Sequence, residues 1–459
     1  MAIVSDQESR RRYRTDSSWW RHRSSVGDTL VAGSPIRLFR LAAEGSRLAD
    51  VLESDGSVPP GTESLAGRFE EAGAIHPIIG ESSQTPADVT VVIPAHDEDP
   101  ARITGLVAQL TDAARVVVVD DGSPTPLSAI HGAEIIRREH AGGPAAARNT
   151  GAASATTDFV LFLDADTEWN PSCWTTLLGH FDDVRVGLVA PRVASTPGPD
   201  LVARYDATES PLDLGAEPAR VKPGTRVSYV PSAALLVRRS VLESLGGFDE
   251  SLRYGEDVDL VWRAIDAGHV CRYEPSAITY HRPRPNVAAL LRQRRSYGSA
   301  AAGLDSRHPG AATPLRVNRW SAIAWSLVAL GHPLLGVGVG AGSTAVLTRK
   351  LGSTPHKWLV AARLAGLGNL HAGRLIAGAV TRTWWPISIV AALVSRRLRF
   401  ALFVALVVPN LYRWRASRTD LDPVRYIALR AADDAAYGTG VWSGAWRLRR
   451  FGALRPRFD

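Results

Sequence analysis

The sequence predicts an α/β protein with a mostly parallel sheet flanked by helices, a small N-terminal unit and a helical C-terminal region. Short, continuously apolar runs such as Val89–Ile93 and Phe159–Leu163, separated by helix-like stretches, predict the sheet. Strands that are apolar on both faces are typical of parallel sheets covered on both sides. A change to a basic and apolar composition after His281 predicts the separate C-terminal region.

Length and composition predict several structural units. The chain has 459 residues, of which 45% are hydrophobic and 22% charged, and one ordinary domain holds about 100–200 residues. We expect a basic N-terminal arm over 1–28, a small unit over 29–85, a central domain over 86–290 and a basic, apolar helical region over 291–459. Two cysteines without metal or disulfide spacing, and no secretory signal, are typical of a reducing compartment.

The small unit begins with a strand-like segment, Thr29–Val31, and continues with two stretches of helical periodicity. Apolar residues recur at helical spacing from Ile36 to Leu52 and again from Leu65 to Ala72. This pattern predicts a miniature winged-helix-like unit. Such units bind DNA or peptides, and the near balance of charge here argues against DNA. Docking of a peptide or partner, and simple packing against the central domain, both stay open.

The central domain shows a strand and helix rhythm. The pattern predicts helices over Ile103–Leu110 and from Pro144 onward, a strand over Val116–Val119 and a second crossover over Ile130–Ile136. Ligands of parallel sheets bind beyond the carboxyl ends of the strands. The polar residues at those ends are therefore the candidate site.

Two strands end in motifs that can bind a nucleotide. Pro94 breaks the first strand and releases His96 and Glu98 at its carboxyl end. The next strand ends in Asp120 and Asp121, and we expect both carboxylates to project into the crevice. A carboxylate in that position can accept hydrogen bonds from a uracil imide or a ribose hydroxyl.

A third strand end predicts a metal site. Asp164 and Asp166 follow the apolar run Phe159–Leu163, and alternation along an extended chain puts both on the same side. Their oxygens can then face one divalent cation, Mg²⁺ or Mn²⁺, which would neutralise charge on a leaving diphosphate. His281 closes a later apolar stretch and can complete the metal site with a neutral imidazole.

Two further segments carry candidate catalytic and donor-binding groups. Glu256 and Asp257 stand before a helical stretch, where the helix macrodipole favours an ionised carboxylate. Such a carboxylate suits a general base for an acceptor hydroxyl. Arg148 follows a Gly-rich turn on a helix of small residues, and its guanidinium can reach the phosphates or ribose of a donor.

The order of the motifs resembles that of the family 2 inverting glycosyltransferases. The resemblance covers about residues 88–285 and rests on Val-Ile-Pro-Ala-His-Asp-Glu, Val-Asp-Asp-Gly-Ser, Ala-Arg-Asn-Thr-Gly, Asp-Ala-Asp, Gly-Gly-Phe-Asp-Glu, Gly-Glu-Asp-Val-Asp-Leu and the later His281. It implies a GT-A fold, a nucleoside-diphosphate sugar as donor, such as UDP-glucose, and inversion by single displacement.

The same resemblance implies a role for each matching residue. Asp121 would contact the nucleoside, Asp164 the ribose or donor, Asp166 and His281 the metal, and Asp257 would be the base. In one departure, His96 stands where many members have an aromatic residue before an Asn-Glu pair, and Asp97 replaces that Asn. Base stacking and donor choice therefore do not follow from the resemblance.

Over its full length the chain is similar to the glycosyltransferases of the mycofactocin system. The grounds are the segments Gly33–Leu41 and Leu212–Arg220 and the basic, apolar tail. This similarity implies oligoglycosylation, by glucose, of a small peptide-derived acceptor, the precursor of a redox cofactor. A polyprenyl-phosphate sugar synthase, a surface-polysaccharide transferase and a non-enzymatic nucleotide-sugar-binding membrane scaffold are the alternatives. The absence of G-x-G-x-x-G after the first strand disfavours a Rossmann dehydrogenase.

The C-terminal composition predicts association with a lipid surface. From Arg349 to the end, 19 Lys and Arg stand against 5 Asp and Glu, beside apolar runs that favour lipid over nucleic acid. Trp320–Thr348 has 29 residues without a charged side chain, and about 20 helical residues can cross a bilayer. Thr383–Ser395 and Phe400–Tyr412 are too short to span and fit a re-entrant or interfacial pair.

Whether 320–348 spans the bilayer stays open, and a soluble helical cap is the alternative for the whole region. We expect the protein at the cell membrane, with its catalytic domain on the cytoplasmic side and no nucleic-acid partner.

Overall fold

The computed structural model describes residues 11–25, 27–54, 56–80 and 82–458. The chain forms two compact units. The first consists of Met1–Thr196 and Ser210–Arg282, and the second of Pro197–Glu209 and Pro283–Asp459. The N-terminal segments thus share a unit with the central sheet, and a short excursion from that sheet belongs to the helical unit. Residues 1–10 of the expected arm lie outside the described residues.

The N-terminal part of the first unit contains two small sheets and two helices. Its elements are β1 Arg12–Thr15, β2 Trp20–His22, β3 Asp28–Ala32, β4 Arg37–Leu41, α1 Ala43–Ser54, α2 Glu63–Glu71 and β5 Ile75–Ile78. Strands β2, β3 and β4 form an antiparallel sheet in that order, and β1 pairs antiparallel with β5. The strand and the second helix expected here are confirmed, and the winged-helix assignment stays a prediction.

Two expectations for this part need correction. From residue 11 the basic segment is not a free arm, because Tyr13 of β1 is buried in a core with Leu30, Leu48 and Phe69. The periodic stretch from Ile36 holds strand β4 before helix α1, so the helix is shorter than the periodicity predicted. The apolar residues of β4 are interspersed with polar ones, and over a stretch this short their spacing also fits a helix.

A nine-stranded sheet forms the centre of the first unit. Its strands are β6 Val89–Ala95, β7 Arg115–Asp121, β8 Glu134–Arg138, β9 Phe159–Leu163, β10 Thr167–Glu168, β11 Val186–Ser195, β12 Ala219–Arg220, β13 Ala234–Arg238 and β14 Val270–His281. The order is β10-β14-β11-β13-β9-β6-β7-β8, and β12 pairs with β14. Strands β9, β6, β7 and β8 are parallel, whereas β13 runs antiparallel to both β9 and β11.

The sheet is therefore mixed rather than mostly parallel. Strand β13 is nearly as buried and apolar as β9, which is parallel to β6, so the composition of β13 carries no information on its direction. The crossover expected over Ile130–Ile136 is also wrong, because β8 begins at Glu134. As a half-exposed edge strand, β8 lacks the continuous apolar run that revealed the others.

Helices cover both faces of this sheet. In the first unit these helices are α3 Pro100–Val107, α4 Pro144–Ala153, α5 Cys173–Leu178, α7 Arg239–Ser244 and α8 Glu256–Asp266; α6 Leu201–Glu209 follows α5 in the chain and belongs to the second unit. Val91 and Ile93 share a core with residues of α3 and α5. On the other face, a Cβ added at Gly151 of α4 would lie 2.4 Å from a methyl of Val92. The helix expected from Pro144 is confirmed, and Asp99 caps α3 by accepting from Ala101 N at 3.0 Å.

The second unit is mainly helical. Besides α6, its elements are α9 Val287–Arg307, β15 Arg316–Val317, α10 Arg319–Ala329, α11 Pro333–Lys350, α12 Lys357–Arg382, α13 Trp385–Val394, α14 Arg396–Ser417, α15 Pro423–Leu448 and β16 Arg457–Phe458. The apolar run from Trp320 is broken at Gly331, which has a φ of 88°. Among the described residues, no single helix has both the length and the apolarity to cross a bilayer; α12 and α13 reach them only as a pair bent by 90°.

A buried network of ion pairs ties α6, α9 and α15 together inside this unit. Arg294 donates to Asp206 at 2.9 Å and to Asp433 at 3.1 Å. Arg430 lies 3.2 Å from Glu209 and 3.3 Å from Asp434. Each of these four carboxylates thus has an arginine partner.

Candidate active site

The turn after β9 places the two predicted metal carboxylates. Asp164 N donates to Ala233 O at 3.1 Å, and Thr167 closes the turn through its N and Oγ1, at 3.1 and 2.7 Å from Asp164 O. Strand β10 then pairs with β14 so that Thr167 stands opposite His281. This register brings His281 Nε2 to 3.1 Å from Asp166 Oδ1.

Asp164, Asp166 and His281 form a candidate metal centre. Their potential ligand atoms lie within 4.8 Å of one another. Two carboxylates and one imidazole are ligands that Mn²⁺ accepts, and the carboxylates also suit Mg²⁺. Both aspartates are partly exposed, so a substrate phosphate can approach from the open side. The three residues therefore fit a divalent cation.

Arg148 on α4 connects this centre to the start of α8. The side chain is buried, donating through Nη2 to Asp164 Oδ1 at 2.6 Å and through Nη1 to Glu256 Oε1 at 2.8 Å. Burial would lower the pKa of Arg148, but Asp164 and Glu256 raise it above its ordinary value. Arg148 therefore positions two carboxylates as a permanent cation, and its contact with a donor stays a prediction.

Sequence reasoning gave no role to Asn149, which holds the turn beneath Arg148. Its Nδ2 donates to Phe248 O at 2.9 Å, and Phe248 N donates back to its Oδ1 at 2.8 Å. Gly247 has a φ of 75°, and a Cβ there would lie 2.5 Å from Asn149 Oδ1. The Phe248 ring then lies 5.6 Å from the Arg148 guanidinium. The sequence shows both the motif of Asn149 and the motif of Phe248, but it does not show that residues 99 positions apart are paired.

Glu256 and Asp257 occupy the first turn of α8, and Gly255, with a φ of 80°, is the N-cap. Burial and the charge of Asp257 raise the pKa of Glu256 to about 7, against the opposing charge of Arg148. This buried carboxyl consequently titrates near neutral pH.

The Asp257 carboxylate accepts two backbone hydrogen bonds, from Val258 N at 2.8 Å and from Ser232 N at 3.2 Å. Burial raises the pKa of Asp257, while Arg148 and these two donors oppose the rise. Ser232, just before β13, was also missed, since a backbone donor has no signature in sequence. Asp257 is thus held in one orientation by main-chain groups.

The acidic pair at the end of β7 does not project freely into a crevice as expected. Asp121 is buried and accepts from Gly142 N at 3.0 Å and Gly143 N at 2.7 Å, and it pairs with Arg138 at 2.8 Å. These contacts tie the loop after β7 to the turn that starts α4. A nucleoside contact by Asp121 stays a prediction.

Asp120 has a structural environment. It accepts from Ser123 N at 3.0 Å and Leu127 N at 3.1 Å, and it also bonds to Arg137. Burial would raise the pKa of Asp120, but these donors hold it below its ordinary value. Asp120 thus stabilises the loop that follows β7, and Asp121 stabilises the turn that starts α4. Both carboxylates are buried.

The residues at the end of β6 do not all face the same place. Pro94 does not end the strand, which continues to Ala95, because Pro94 pairs in register with Val119. His96 is exposed and its Nδ1 lies 2.8 Å from Asp121 O, next to the β7 loop. Glu98 instead turns to α3 and pairs with Arg102 at 3.2 Å.

Comparisons with known proteins agree with these motifs. Residues 90–246 match the profile of glycosyl transferase family 2. The pre-mycofactocin glycosyltransferase of Mycobacterium tuberculosis (strain ATCC 25618 / H37Rv) is 40% identical over 453 residues, covering 94% of each chain. The succinoglycan biosynthesis protein ExoU of Rhizobium meliloti (strain 1021) is 30% identical, over 42% of this chain and 63% of its own.

Solved glycosyltransferase structures are more distant. The mannosyltransferase PcManGT from Pyrobaculum calidifontis, in complex with GDP-Man and Mn²⁺, has a TM-score of 0.38 at 18% identity, covering 77% of this chain and 92% of its own. At that distance it adds nothing to the assignment. The pre-mycofactocin glycosyltransferase is similar over 94% of each chain. This similarity confirms the resemblance to family 2 glycosyltransferases and the resemblance to those of the mycofactocin system.

Proposed function

The chain belongs to glycosyl transferase family 2, and on that premise we propose that it glycosylates the peptide-derived precursor of the redox cofactor mycofactocin. The observation that carries the proposal is the 40% identity with the pre-mycofactocin glycosyltransferase over 94% of both chains. That similarity includes the N-terminal and helical parts that family 2 enzymes in general need not share. As donor we propose a nucleoside-diphosphate sugar, with UDP-glucose as the first candidate.

The donor's diphosphate belongs, in this proposal, at the candidate metal centre of Asp164, Asp166 and His281. A divalent cation held there supplies a positive charge that offsets the negative charge of the departing nucleoside diphosphate. The fit of the donor set, two carboxylates and an imidazole within 4.8 Å, supports the assignment. Arg148 keeps Asp164 in position through the bond at 2.6 Å.

We assign Asp257 as the base of a single displacement. The acceptor hydroxyl oxygen attacks the anomeric carbon of the sugar, and its proton passes to a carboxylate oxygen of Asp257. The bond between that carbon and the diphosphate oxygen breaks, so the configuration inverts. Backbone donors from Ser232 and Val258 orient Asp257, which supports the role because a base must hold its geometry.

Glu256 supports this base. Its carboxyl lies beside Asp257 and is bonded to Arg148, so it balances the buried guanidinium and sets the charge that Asp257 experiences. Because the pKa of Glu256 is raised to about 7, that local charge changes around neutral pH.

The test is sugar transfer by the full chain in detergent or native membranes. The reaction offers a panel of nucleoside-diphosphate sugars to a small peptide-derived acceptor and to a polyprenyl phosphate, with Mn²⁺ or with a chelator. Mass spectrometry of both acceptors, and the anomeric configuration of the product, give the donor, the acceptor and the stereochemistry. We expect metal-dependent addition of hexose to the peptide-derived acceptor with inversion.

Asp158→Asn is the matched control. Asp158 is exposed and precedes β9 at its amino end, opposite the end that carries Asp164, so transfer should persist. Transfer to polyprenyl phosphate alone would contradict the proposed acceptor while leaving the family assignment intact. Transfer that survives complete chelation would contradict the metal centre.

A further inference from the structure

The second unit exposes large apolar side chains where two helix junctions meet. Leu334 and Val394 are each 85% exposed, and Leu330, Leu393 and Phe400 are exposed as well. We call these five residues the apolar tip. An exposed cluster of large apolar side chains marks an interaction surface.

The five residues belong to one place on the surface. Arg397, at the start of α14, donates through Nη1 to Leu330 O at 3.2 Å. A Cβ added at Gly331 would lie 3.3 Å from Arg397 Cδ. The turn between α10 and α11 therefore touches the junction between α13 and α14, and the tip is continuous.

Helix α13 continues the tip as an apolar ridge. Ile387, Val390 and Val394 are all exposed and follow one another at spacings of three and four residues. That spacing puts them on one face of the helix. The face that α13 turns outward is thus apolar along its length, which is unusual for a helix facing water.

The charge around the tip has one sign. Residues 306–419 contain 15 Lys and Arg and no Asp or Glu. Arg396, Arg397 and Arg399 are exposed directly beside the tip. An apolar surface ringed by arginine matches an anionic lipid layer, because the apolar groups enter the acyl region while the cations reach the headgroups.

Length decides how such a surface meets a bilayer. The ten residues of α13 extend about 15 Å at 1.5 Å per residue, half of the roughly 30 Å hydrocarbon core. The axes of α12 and α13 meet at an angle of 90°. A short apolar helix perpendicular to its predecessor is suited to lie in the plane of one leaflet.

We propose that the apolar tip docks on one leaflet of an anionic bilayer, with α13 in the membrane plane and Arg396, Arg397 and Arg399 at the headgroups. Nucleic acid shares the negative charge but offers no layer for leucine, valine and phenylalanine side chains. None of the residues of the apolar tip is among those proposed for sugar transfer.

The experiment is flotation of the purified full chain with vesicles of phosphatidylcholine alone or mixed with phosphatidylglycerol. We expect the chain to float with the anionic vesicles. Leu334→Asp combined with Val394→Asp should lower the bound fraction roughly tenfold or more, because an ionised carboxylate replaces each inserted group. Arg396→Gln, Arg397→Gln and Arg399→Gln together should weaken binding to the anionic vesicles by roughly tenfold to a hundredfold.

Matched controls carry the same chemistry elsewhere. Val184→Asp changes a side chain that is 83% exposed in the first unit. Arg37→Gln, Arg40→Gln and Arg47→Gln together remove three exposed arginines from the N-terminal part. Both controls should float like the unchanged chain, and thermal unfolding should be the same for all variants.

A label at the tip tests its depth. Cys173 and Cys271 are buried, so Val394→Cys offers a selective site for an environment-sensitive fluorophore. Nitroxide lipids that carry the quencher near the headgroup should quench it more than those that carry it at the bilayer centre.

Four results would overturn the proposal. Tip variants that float like the unchanged chain would exclude the tip as the contact. Retention on duplex DNA without flotation would indicate a nucleic-acid surface, and dimers that only the tip variants dissociate would indicate self-association. Strongest quenching from the bilayer centre would contradict docking on one leaflet.

Discussion

Two clusters of acidic side chains in this protein have opposite characters. In the candidate active site, Asp164 and Asp166 have side chains 30% and 17% exposed. In the helical unit, Asp206 and Asp433 are 7% and 4% exposed, and Arg294 pairs with both. The first cluster is partly exposed and has one arginine, Arg148, on Asp164, whereas both carboxylates of the second are buried and paired with Arg294.

The difference teaches which acidic clusters to interpret as sites. A buried carboxylate must be paired or it destabilises the fold, so the second cluster is what packing of charged helices requires. Carboxylates that converge while partly exposed are not required by packing, and they leave oxygen atoms for a cation.

The largest effect should come from Asp166→Ala. Removing one of the proposed metal ligands should lower the transfer rate by roughly 10³-fold or more, since a metal contributes several kcal/mol to such reactions and each 1.4 kcal/mol is about tenfold. Initial rates of product formation measure it. The free energy of unfolding should change little, and a variant that unfolds instead would assign Asp166 to the fold.

Asp257→Asn tests the proposed base of the candidate active site. It should lower transfer by about 10²–10⁴-fold, the range that general base catalysis supplies, while donor binding persists. The rate and the donor dissociation constant are measured separately, by product formation and calorimetry. Transfer near the original rate would show that another group accepts the proton.

Asp433→Ala should act on stability. It leaves Arg294 buried with one partner fewer, and breaking a buried pair costs about 3–5 kcal/mol. Denaturant unfolding measures the loss. The double change Arg294→Met and Asp433→Leu should not recover this loss, because the buried Asp206 then loses the arginine that bonds to it. If Asp433→Ala kept full stability, the contrast between the clusters would fail.

The pH dependence of stability should report Glu256. Its folded pKa of about 7 lies above the ordinary 4.5, so between these values the native state binds more protons than the unfolded state. Its contribution to the free energy of unfolding therefore decreases as pH rises from about 4.5 to 7 and is constant above. Glu256→Gln should remove this decrease, seen as a smaller loss of thermal stability across that window. An unchanged pH profile would contradict the raised pKa.

The smallest effect should come from Arg102→Ala. Its pair with Glu98 lies at the surface, so the free energy of unfolding should change by less than about 0.5 kcal/mol. Denaturant unfolding against the unchanged chain measures it. A loss of more than 1 kcal/mol would show that Glu98 is held for a purpose beyond a surface ion pair.

Much of the fold and the chemistry could be predicted because local patterns report local structure. The buried strands β6, β7 and β9 are apolar runs, and the acids at their ends follow within a few residues. The metal trio was predicted by residue type, and the structure brings its members together. The short edge strand β8 was missed, since an edge strand has no continuous apolar run.

The sequence by itself determined the family, the buried strands, the candidate ligands and the basic, apolar tail. Tertiary structure alone decided which distant groups meet: Arg148 with Glu256, 108 residues away, and Asn149 with Phe248, 99 residues away. It also decided the direction of β13 and the loop contacts that bury Asp121. The physical reason is that side-chain patterns reflect whether a residue faces water or the core. Which distant residue a side chain meets depends instead on the order and direction of the strands in the sheet.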